Sequence, residues 1–288
     1  MKPILAVLML VLLVGAVAAP AAPAAPASRL RAAYTSDDCG RQPLKPDGTA
    51  WQCTFVDNFG GRELDRTKWR PQTEFVTGTD TVYACYRDDP ANVSVKYGAL
   101  NLTLVKLPVP APCGVSGMGP SQYQSGMVST WHLFSQQYGR FEARVKNTAT
   151  TQPGLHEAFW MWPDDRYGST DSGEIDVSET FSVHPTVSVA ALHPTDDELG
   201  LRAGTDTDTC AARRGVWNTY TMEWSPTKIE FFVNGKSCLV NTAADPAFQK
   251  PYILNFTEAI GPVDMGNLPT AQTPTPATYK VDYVKVWQ

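Results

Sequence analysis

Short segments of alternating apolar and polar residues recur along the chain, and helical periodicity is weak almost everywhere. Residues 138–146 show the alternation most clearly, and the 21 glycines and 23 prolines separate such segments. This pattern is typical of β-strands joined by turns, and about a dozen strands are expected. The main predicted strands are 51–59, 93–97, 100–105, 125–130, 138–146, 157–162, 172–181, 187–193, 217–224, 228–233, 252–256 and 279–287.

A two-sheet antiparallel sandwich is the architecture that buries one face of so many short strands. Gly98 and the pair Asn234-Gly235 stand between predicted strands, where they favour tight hairpin turns. Residues 108–120 are rich in proline and glycine, so we expect a loop there.

One predicted strand carries three acids, in the stretch Ser172-Gly173-Glu174-Ile175-Asp176-Val177-Ser178-Glu179-Thr180-Phe181. Side chains of a strand alternate between faces, so Glu174 and Asp176 share a face while Glu179 has the wrong parity. One extra residue in a β-bulge near Val177-Ser178 corrects the parity and turns all three acids the same way. The two glutamates are then about 13 Å apart at Cα, and their long side chains can approach the ~5–5.5 Å between carboxyl groups of a retaining glycosidase.

A helix does not give this arrangement, because a turn of about 100° per residue spreads the three acids over different faces. Two simpler interpretations of the acids are a solvated acidic loop and a calcium site. The acidic segment alone does not choose between these interpretations and a catalytic one.

The N-terminal residues predict export. A basic Lys2 precedes an apolar run over residues 4–19 that is short for a membrane span, followed by small residues suited to cleavage. We therefore predict a signal peptide at 1–27, a lead-in segment at 28–50 and a catalytic domain at 51–288, in a secreted protein without stable membrane insertion after processing. An uncleaved membrane anchor is the alternative.

Charge and cysteine content narrow the possible partners. The formal net charge of −5 lacks the basic surface that nucleic acid requires, whereas a neutral glycan is compatible. Six cysteines in an exported chain indicate disulfides, for which 15 pairings exist. We favour pairing between sequence neighbours, Cys39–Cys53, Cys85–Cys113 and Cys210–Cys238. No Cys-x-x-Cys pair is present, which disfavours a zinc site.

The chain from about Trp51 to Gln288 resembles glycoside hydrolase family sixteen, in its laminarinase branch. The motif Glu-Ile-Asp-x-x-Glu occurs at 174–179, with the additional residue that belongs to the bulged branch. Further matches follow in the order of the family: Phe55-Val56-Asp57-Asn58-Phe59, Tyr138-Gly139-Arg140-Phe141-Glu142-Ala143-Arg144, Ala158-Phe159-Trp160, Leu192-His193, Leu254-Asn255 and Val281-Asp282-Tyr283-Val284.

The resemblance implies a jelly-roll sandwich with a concave glycan-binding cleft and cleavage of a β-linked glycan with retention of configuration. By matched position, Glu174 is the expected nucleophile, Glu179 the general acid/base and Asp176 the carboxylate between them. Catalysis needs no cofactor, and we expect a monomer. Crowding of like charges should hold at least one proton to higher pH, and we predict that proton on Glu179.

Four further residues are candidate substrate contacts. Trp160 and Trp162 are two positions apart and share a strand face, where their rings can stack on a pyranose or instead pack in the core. His193 is a candidate for a hydrogen bond to a sugar hydroxyl or to the acid/base, or a structural histidine. Asn255 matches a family position that contacts sugar.

Two departures from the family pattern put the substrate in doubt. Laminarinases often have a tryptophan a few residues before Gly-Glu-Ile-Asp, where this chain has a polar loop at 165–171, and an often aromatic position is occupied by His156. The resemblance also suggests a structural calcium ion held by Asp282 with the backbone near Gly98 and Asp57, because calcium takes carboxylate and carbonyl oxygens. An ordinary surface aspartate is the alternative.

Three hypotheses for function remain. The first is a β-1,3-glucanase or a relative acting on mixed-linkage glucan or galactan. The second is a transglycosylase that uses the same covalent intermediate. The third is a non-catalytic glycan-binding sandwich, because fold alone does not fix function. The presence of all three acids favours catalysis.

Overall fold

The computed structural model describes residues 38–74, 76–78, 82–171, 173–195, 204–262 and 266–288. The predicted signal peptide at 1–27, the first part of the lead-in at 28–37, and Ser172 lie outside the described residues.

Within these residues the chain forms 18 strands and two short 3-10 helices, at Asp165–Tyr167 and Pro246–Phe248. No helix in the described part combines the length and hydropathy needed to cross a bilayer. The strands are β1 (Cys53–Asp57), β2 (Arg70–Pro71), β3 (Val76–Gly78), β4 (Tyr83–Tyr86), β5 (Val93–Val95), β6 (Leu100–Pro112), β7 (Pro120–Ser125), β8 (Met127–Ser129), β9 (Gly139–Lys146), β10 (Leu155–Pro163), β11 (Glu174–Phe181), β12 (Val187–His193), β13 (Thr207–Ala211), β14 (Asn218–Ser225), β15 (Lys228–Val233), β16 (Lys236–Asn241), β17 (Tyr252–Ile260) and β18 (Ala277–Trp287).

The strands form two sheets, which confirms the predicted sandwich. One sheet has seven strands in the order β13-β12-β11-β10-β17-β8-β2. The other has eleven, in the order β16-β15-β14-β9-β18-β6-β7-β4-β3, with β1 on β18 and β5 on β6. The pairing is antiparallel except between β4 and β7, which run parallel. The acid-bearing strand β11 therefore lies inside the seven-stranded sheet, between β12 and β10.

The main core fills the space between the two sheets. Phe159, Ile175 and Phe256 enter it from the seven-stranded sheet, and Phe141 and Val284 enter it from the eleven-stranded sheet. The rings of Phe159 and Phe256 stack with centroids 4.8 Å apart. Because one face of β10 and β11 is committed to this core, their alternate side chains must lie on the opposite face of the sheet.

Both predicted hairpin turns are present. Tyr97 and Gly98 have positive φ angles of 58° and 69° between β5 and β6, and Asn234 and Gly235 have 51° and 80° between β15 and β16. Two successive positive φ angles match the right-handed twist of a hairpin.

The prediction of a loop at 108–120 is wrong at both ends. β6 continues to Pro112 and β7 begins at Pro120, and the two pair at Ala111 and Ser121 after an irregularity in register. The prolines here lie near the ends of the two strands and are exposed, which is where a strand tolerates a residue without an N–H donor.

The structure confirms the three favoured disulfides. Cys39–Cys53 ties the lead-in to β1, and Cys85–Cys113 ties β4 to the chain just after β6. Cys210–Cys238 joins β13 to β16, which are edge strands of the two different sheets. This third bond therefore closes one side of the sandwich covalently.

Candidate active site

β11 contains one residue more than its neighbours at the acidic motif. Asp176 pairs with Ala191 of β12 and Glu179 pairs with Val189, so a step of three residues on β11 faces a step of two on β12. The register with β10 skips Val177 at the same place. This is the predicted β-bulge.

The bulge turns two successive side chains inward. Val177 belongs to the core cluster, and Ser178 is buried and cross-strand to the core residue Phe159. Because two neighbours point inward, Asp176 before them and Glu179 after them both point away from the core.

Glu174 lies on the same outer face, because its neighbour Ile175 is in the core. On β12, Glu174 pairs with His193 and Glu179 pairs with Val189, four residues away. The glutamates are therefore separated by four strand steps, or about 13 Å at Cα, as expected. The three acids line one side of the sheet, with Asp176 between the glutamates.

Asp176 is the most enclosed of the three acids, with 4% of its surface exposed. Its Oδ2 lies 2.9 Å from Nε2 of His193. Burial and the nearby charge of Glu179 raise the pKa of Asp176 to about 6, against the opposing effect of the His193 hydrogen bond. One acid of this face therefore keeps its proton to higher pH, as predicted. The acid whose pKa burial and charge raise in this way is Asp176.

Glu179 has a histidine partner on the neighbouring strand β10. Nε2 of His156 on β10 lies 2.9 Å from Oε1 of Glu179, and the His156 ring stacks on Phe181 with centroids 4.7 Å apart. Burial alone would lower the pKa of His156, but the hydrogen bond and charge of Glu179 outweigh it and raise that pKa. Ala158 pairs directly with Glu179 and leaves room beside the carboxylate.

The two candidate tryptophans lie on the same face as the acids. Trp160 and Trp162 are partly exposed, with ring centroids 6.2 Å apart at an interplanar angle of 78°, and neither is in a core cluster. Trp160 is cross-strand to Asp176, and its Nε1 donates a 2.9 Å hydrogen bond to Thr257. The core-packing alternative is therefore excluded for both rings.

Asn255 and His193 also reach this face. Asn255 is cross-strand to Trp160 and only 1% exposed, and its Nδ2 has no hydrogen-bond acceptor among the described residues. His193 lies on the other side of the acids, and its contact is to Asp176 rather than to the predicted acid/base. Because buried amide donors usually have a partner, the Nδ2 of Asn255 is a candidate donor to a bound ligand.

The predicted calcium site combines Asp282 with the backbone near Gly98 and Asp57, and the pairing of β1 with β18 places Asp57 opposite Val284. Asp57 is buried and accepts hydrogen bonds from the Phe59 N–H at 2.7 Å and the Trp69 Nε1 at 2.9 Å. Asp282 lies on the outer side of β18 and forms a 2.5 Å ion pair with Arg144. Calcium binding at these residues stays a prediction.

Gly98, the third predicted participant, lies in the β5–β6 turn, close to where β6 joins β18. Among the described residues, two other groups place three potential metal ligands within 4.8 Å of one another: His132 with Asp164 and Asp165, and Glu174 with Asp176 and His193. In the first group, Asp164 is already paired with Arg166, which donates to both carboxylate oxygens.

Comparison with known proteins agrees with this architecture and motif. The model of Glycosyl hydrolases family 16 matches residues 80–285. Glucan endo-1,3-beta-glucosidase A1 of Niallia circulans is 28% identical over 276 residues, covering 85% of this chain and 39% of that protein. Keratan-sulfate endo-1,4-beta-galactosidase of Sphingobacterium multivorum is 29% identical over 178 residues, covering 59% of this chain and 41% of that protein. The chain thus spans about two fifths of the length of these relatives.

Solved structures give the same result for the fold. SCLam, a non-specific endo-beta-1,3(4)-glucanase, superposes with a TM-score of 0.69 at 25% identity, over 85% of this chain and 93% of that one. The catalytic domain of a laminarinase from Thermotoga petrophila gives 0.68 at 21% identity, over 83% and 98% of the two chains. The chain belongs to glycosyl hydrolases family 16.

Proposed function

We propose that this chain is a secreted, retaining endo-β-glycosidase that hydrolyses β-1,3-glucan by double displacement. The observation that carries the proposal is the bulge in β11, which presents Glu174, Asp176 and Glu179 on one open sheet face. Retaining hydrolysis requires two carboxyl groups on either side of a glycosidic bond, one as nucleophile and one as acid/base.

In the first step, the Glu174 carboxylate attacks the anomeric carbon and Glu179 gives its proton to the departing glycosidic oxygen. The bond between the anomeric carbon and the glycosidic oxygen breaks, and a glycosyl ester of Glu174 forms. In the second step, Glu179 takes a proton from water as the water oxygen attacks the anomeric carbon, the bond from that carbon to the Glu174 oxygen breaks, and Glu174 leaves as a carboxylate. Configuration at the anomeric carbon is inverted twice and therefore retained.

The middle acid has a different task. With its pKa raised to about 6, Asp176 holds a proton over part of the working range, and its enclosed carboxyl lies beside Glu174 and His193. A protonated Asp176 can donate a hydrogen bond to Glu174, while an ionised one would repel the nucleophile's charge. We assign Asp176 and His193 to positioning the nucleophile.

Sugar binding is assigned to the surface beside the acids. Trp160 and Trp162 offer apolar ring faces to pyranose C–H groups, and the Nδ2 of Asn255, which has no acceptor within the described part of the chain, offers a donor to a hydroxyl. The 85% coverage of this chain by a glucan endo-1,3-beta-glucosidase supports a β-1,3-glucan as substrate. Three disulfides and the predicted signal peptide support secretion.

The test measures release of reducing ends from laminarin, lichenan, agarose and carrageenan, each incubated separately with the protein. We expect the largest release from laminarin. Glu174→Ala should abolish it, and the matched change at an exposed glutamate, Glu63→Ala, should leave it unchanged. Azide should restore cleavage of an activated β-glycoside by Glu174→Ala and yield the α-azide.

Two outcomes would replace this proposal. Binding to a glycan without any cleavage would support the non-catalytic sandwich. Products longer than the substrate, with few new reducing ends, would support a transglycosylase. Glu174→Ala with wild-type activity would refute the assignment of the nucleophile.

A further inference from the structure

The acid/base candidate Glu179 does not lie alone on its strand face. His156 is diagonal to it across β10 and β11, since Ala158 pairs with Glu179 and His156 pairs with Phe181. Nε2 of His156 approaches Oε1 of Glu179 to 2.9 Å. This leaves the other carboxylate oxygen, Oε2, to meet a glycosidic oxygen.

The position of the imidazole ring is fixed by a ring contact and by the anchoring of the next residue in the strand. It stacks on Phe181 with centroids 4.7 Å apart and an interplanar angle of 21°, and its strand neighbour Glu157 is buried in a bidentate ion pair with Arg214. Thr180, between Glu179 and Phe181 on β11, donates a 2.9 Å hydrogen bond to the same Glu157. The backbones on both sides of the His156 and Glu179 pair are therefore tied to one buried network.

The charges around His156 favour its cation. Glu179 and Asp176 face it from β11, Glu157 adjoins it on β10, and on the third side β17 places Ala259 opposite it. Burial opposes the cation, but these carboxylates prevail and raise the pKa of His156. An imidazole and a carboxyl group at hydrogen-bond distance titrate as a pair.

We propose that His156 is the positioning residue of Glu179, and that the two side chains share one proton that the pair must hold for the first step. This inference rests on the proposed function, because it assigns Glu179 as the acid. His156 donates its Nε2–H to Oε1 and fixes the carboxyl so that Oε2 points at the leaving group.

The shared proton has a kinetic consequence. The productive form, with a protonated Glu179 and a neutral imidazole, carries as many protons as the form with a carboxylate and an imidazolium. Activity therefore persists until the pair loses its last proton, so the histidine sets the alkaline limit of the rate. After the proton passes to the leaving group, the same Nε2–H stabilises the Glu179 carboxylate.

The first arm of the test needs no substrate. The chain has four histidines, so their imidazole signals can be assigned in NMR spectra from single His→Gln variants. We expect the titration midpoint of His156 to lie above the ordinary value in the wild type and to fall in Glu179→Gln, because burial is then less opposed. The same midpoint in both proteins would overturn the inference.

The second arm compares pH profiles of kcat/KM on the glucan that is cleaved. His156→Gln keeps an amide donor but holds no proton, so its rate at the optimum should stay within about 5-fold of wild type while the alkaline limb moves to lower pH by about one unit or more. His156→Phe, which keeps the stacking but not the donor, should lose about 10- to 100-fold in kcat with little change in KM.

His184→Gln applies the same change to a histidine in the turn after β11 and should leave the profile in place. If the alkaline limb of the kcat/KM profile of His156→Gln coincides with that of wild type, the inference is overturned. The proposed hydrolase function would still stand. Failure of the wild type to cleave any glycan would refute the proposed function, and the NMR arm would still decide whether the pair shares a proton.

Discussion

The bulge in β11 can be removed by deleting a single residue. Val177 and Ser178 both point inward, and each flanking strand offers one residue where β11 offers two. Deleting Ser178 therefore gives a regular strand in which Val177 remains in the core and Glu179 remains on the outer face. We predict that this deletion variant folds and stays active.

The cost of the deletion can be worked from the contacts of Ser178. Ser178 and the nearby Tyr279 are each 1% exposed; burial raises the pKa of the Tyr279 phenol and Ser178 opposes that rise, so the deletion removes a polar neighbour from a buried hydroxyl. A lost hydrogen bond with an unsatisfied buried partner costs about 1–3 kcal/mol. The local twist of β11 also decreases, and a shift of about 1 Å in Glu179 can reduce kcat by about 100-fold.

The matched control deletes both Val177 and Ser178. That change reverses the parity of the strand and turns Glu179 toward the core, where an unpaired carboxylate costs several kcal/mol out of a typical total of about 5–15 kcal/mol. Urea unfolding followed by tryptophan fluorescence, together with reducing-end assays, checks both variants. A folded single deletion no more active than Glu179→Gln, or a double deletion that remains folded and active, would refute the parity argument.

Three further predictions follow from the contacts around the site. Arg214→Met should lower the free energy of unfolding by about 3–5 kcal/mol, because it leaves the buried Glu157 carboxylate without its ion pair, and Glu157→Gln in the same chain should recover part of the loss in urea denaturation. Asp176 holds its proton to higher pH in the folded state, so its contribution to stability is present below about pH 4 and is lost as the pH rises through about 6. The free energy of unfolding of Asp176→Asn should therefore rise by about 2–3 kcal/mol relative to that of wild type between pH 4 and pH 8. The same difference in unfolding free energy at both pH values would contradict this. Trp160→Ala should raise KM about 10-fold on laminarin and lower the free energy of unfolding by about 1–3 kcal/mol through the lost hydrogen bond to Thr257, and an unchanged KM would exclude sugar stacking on this ring.

Features with a local pattern could be predicted from the sequence. The parity of Glu174 and Glu179 required a bulge, and the register with both neighbouring strands contains it. The turns at Gly98 and Gly235 followed from their residue types. The prolines of residues 108–120 predict a loop, but they lie at the exposed ends of β6 and β7, where the strands accommodate them.

Contacts that depend on the register of distant strands could not be predicted. His156 is 23 residues from Glu179, and Arg214 is 57 residues from Glu157. The alternation of β10 does place His156 on the face of Trp160, and that signal could have suggested a role beside the acids. The raised pKa of Asp176 likewise depends on burial, which spacing along the chain does not reveal.

The proposed double displacement requires Glu174 to form a covalent bond to the sugar. A laminaribiosyl fluoride with fluorine at C2 loses its leaving group readily but turns over slowly, so the glycosyl ester accumulates. Mass spectrometry of the intact protein should then show the addition of one fluorinated laminaribiosyl group, and peptide mapping should locate this group on Glu174. An adduct on any other residue, or rapid hydrolysis of laminarin by a protein that never forms the adduct, would contradict the mechanism.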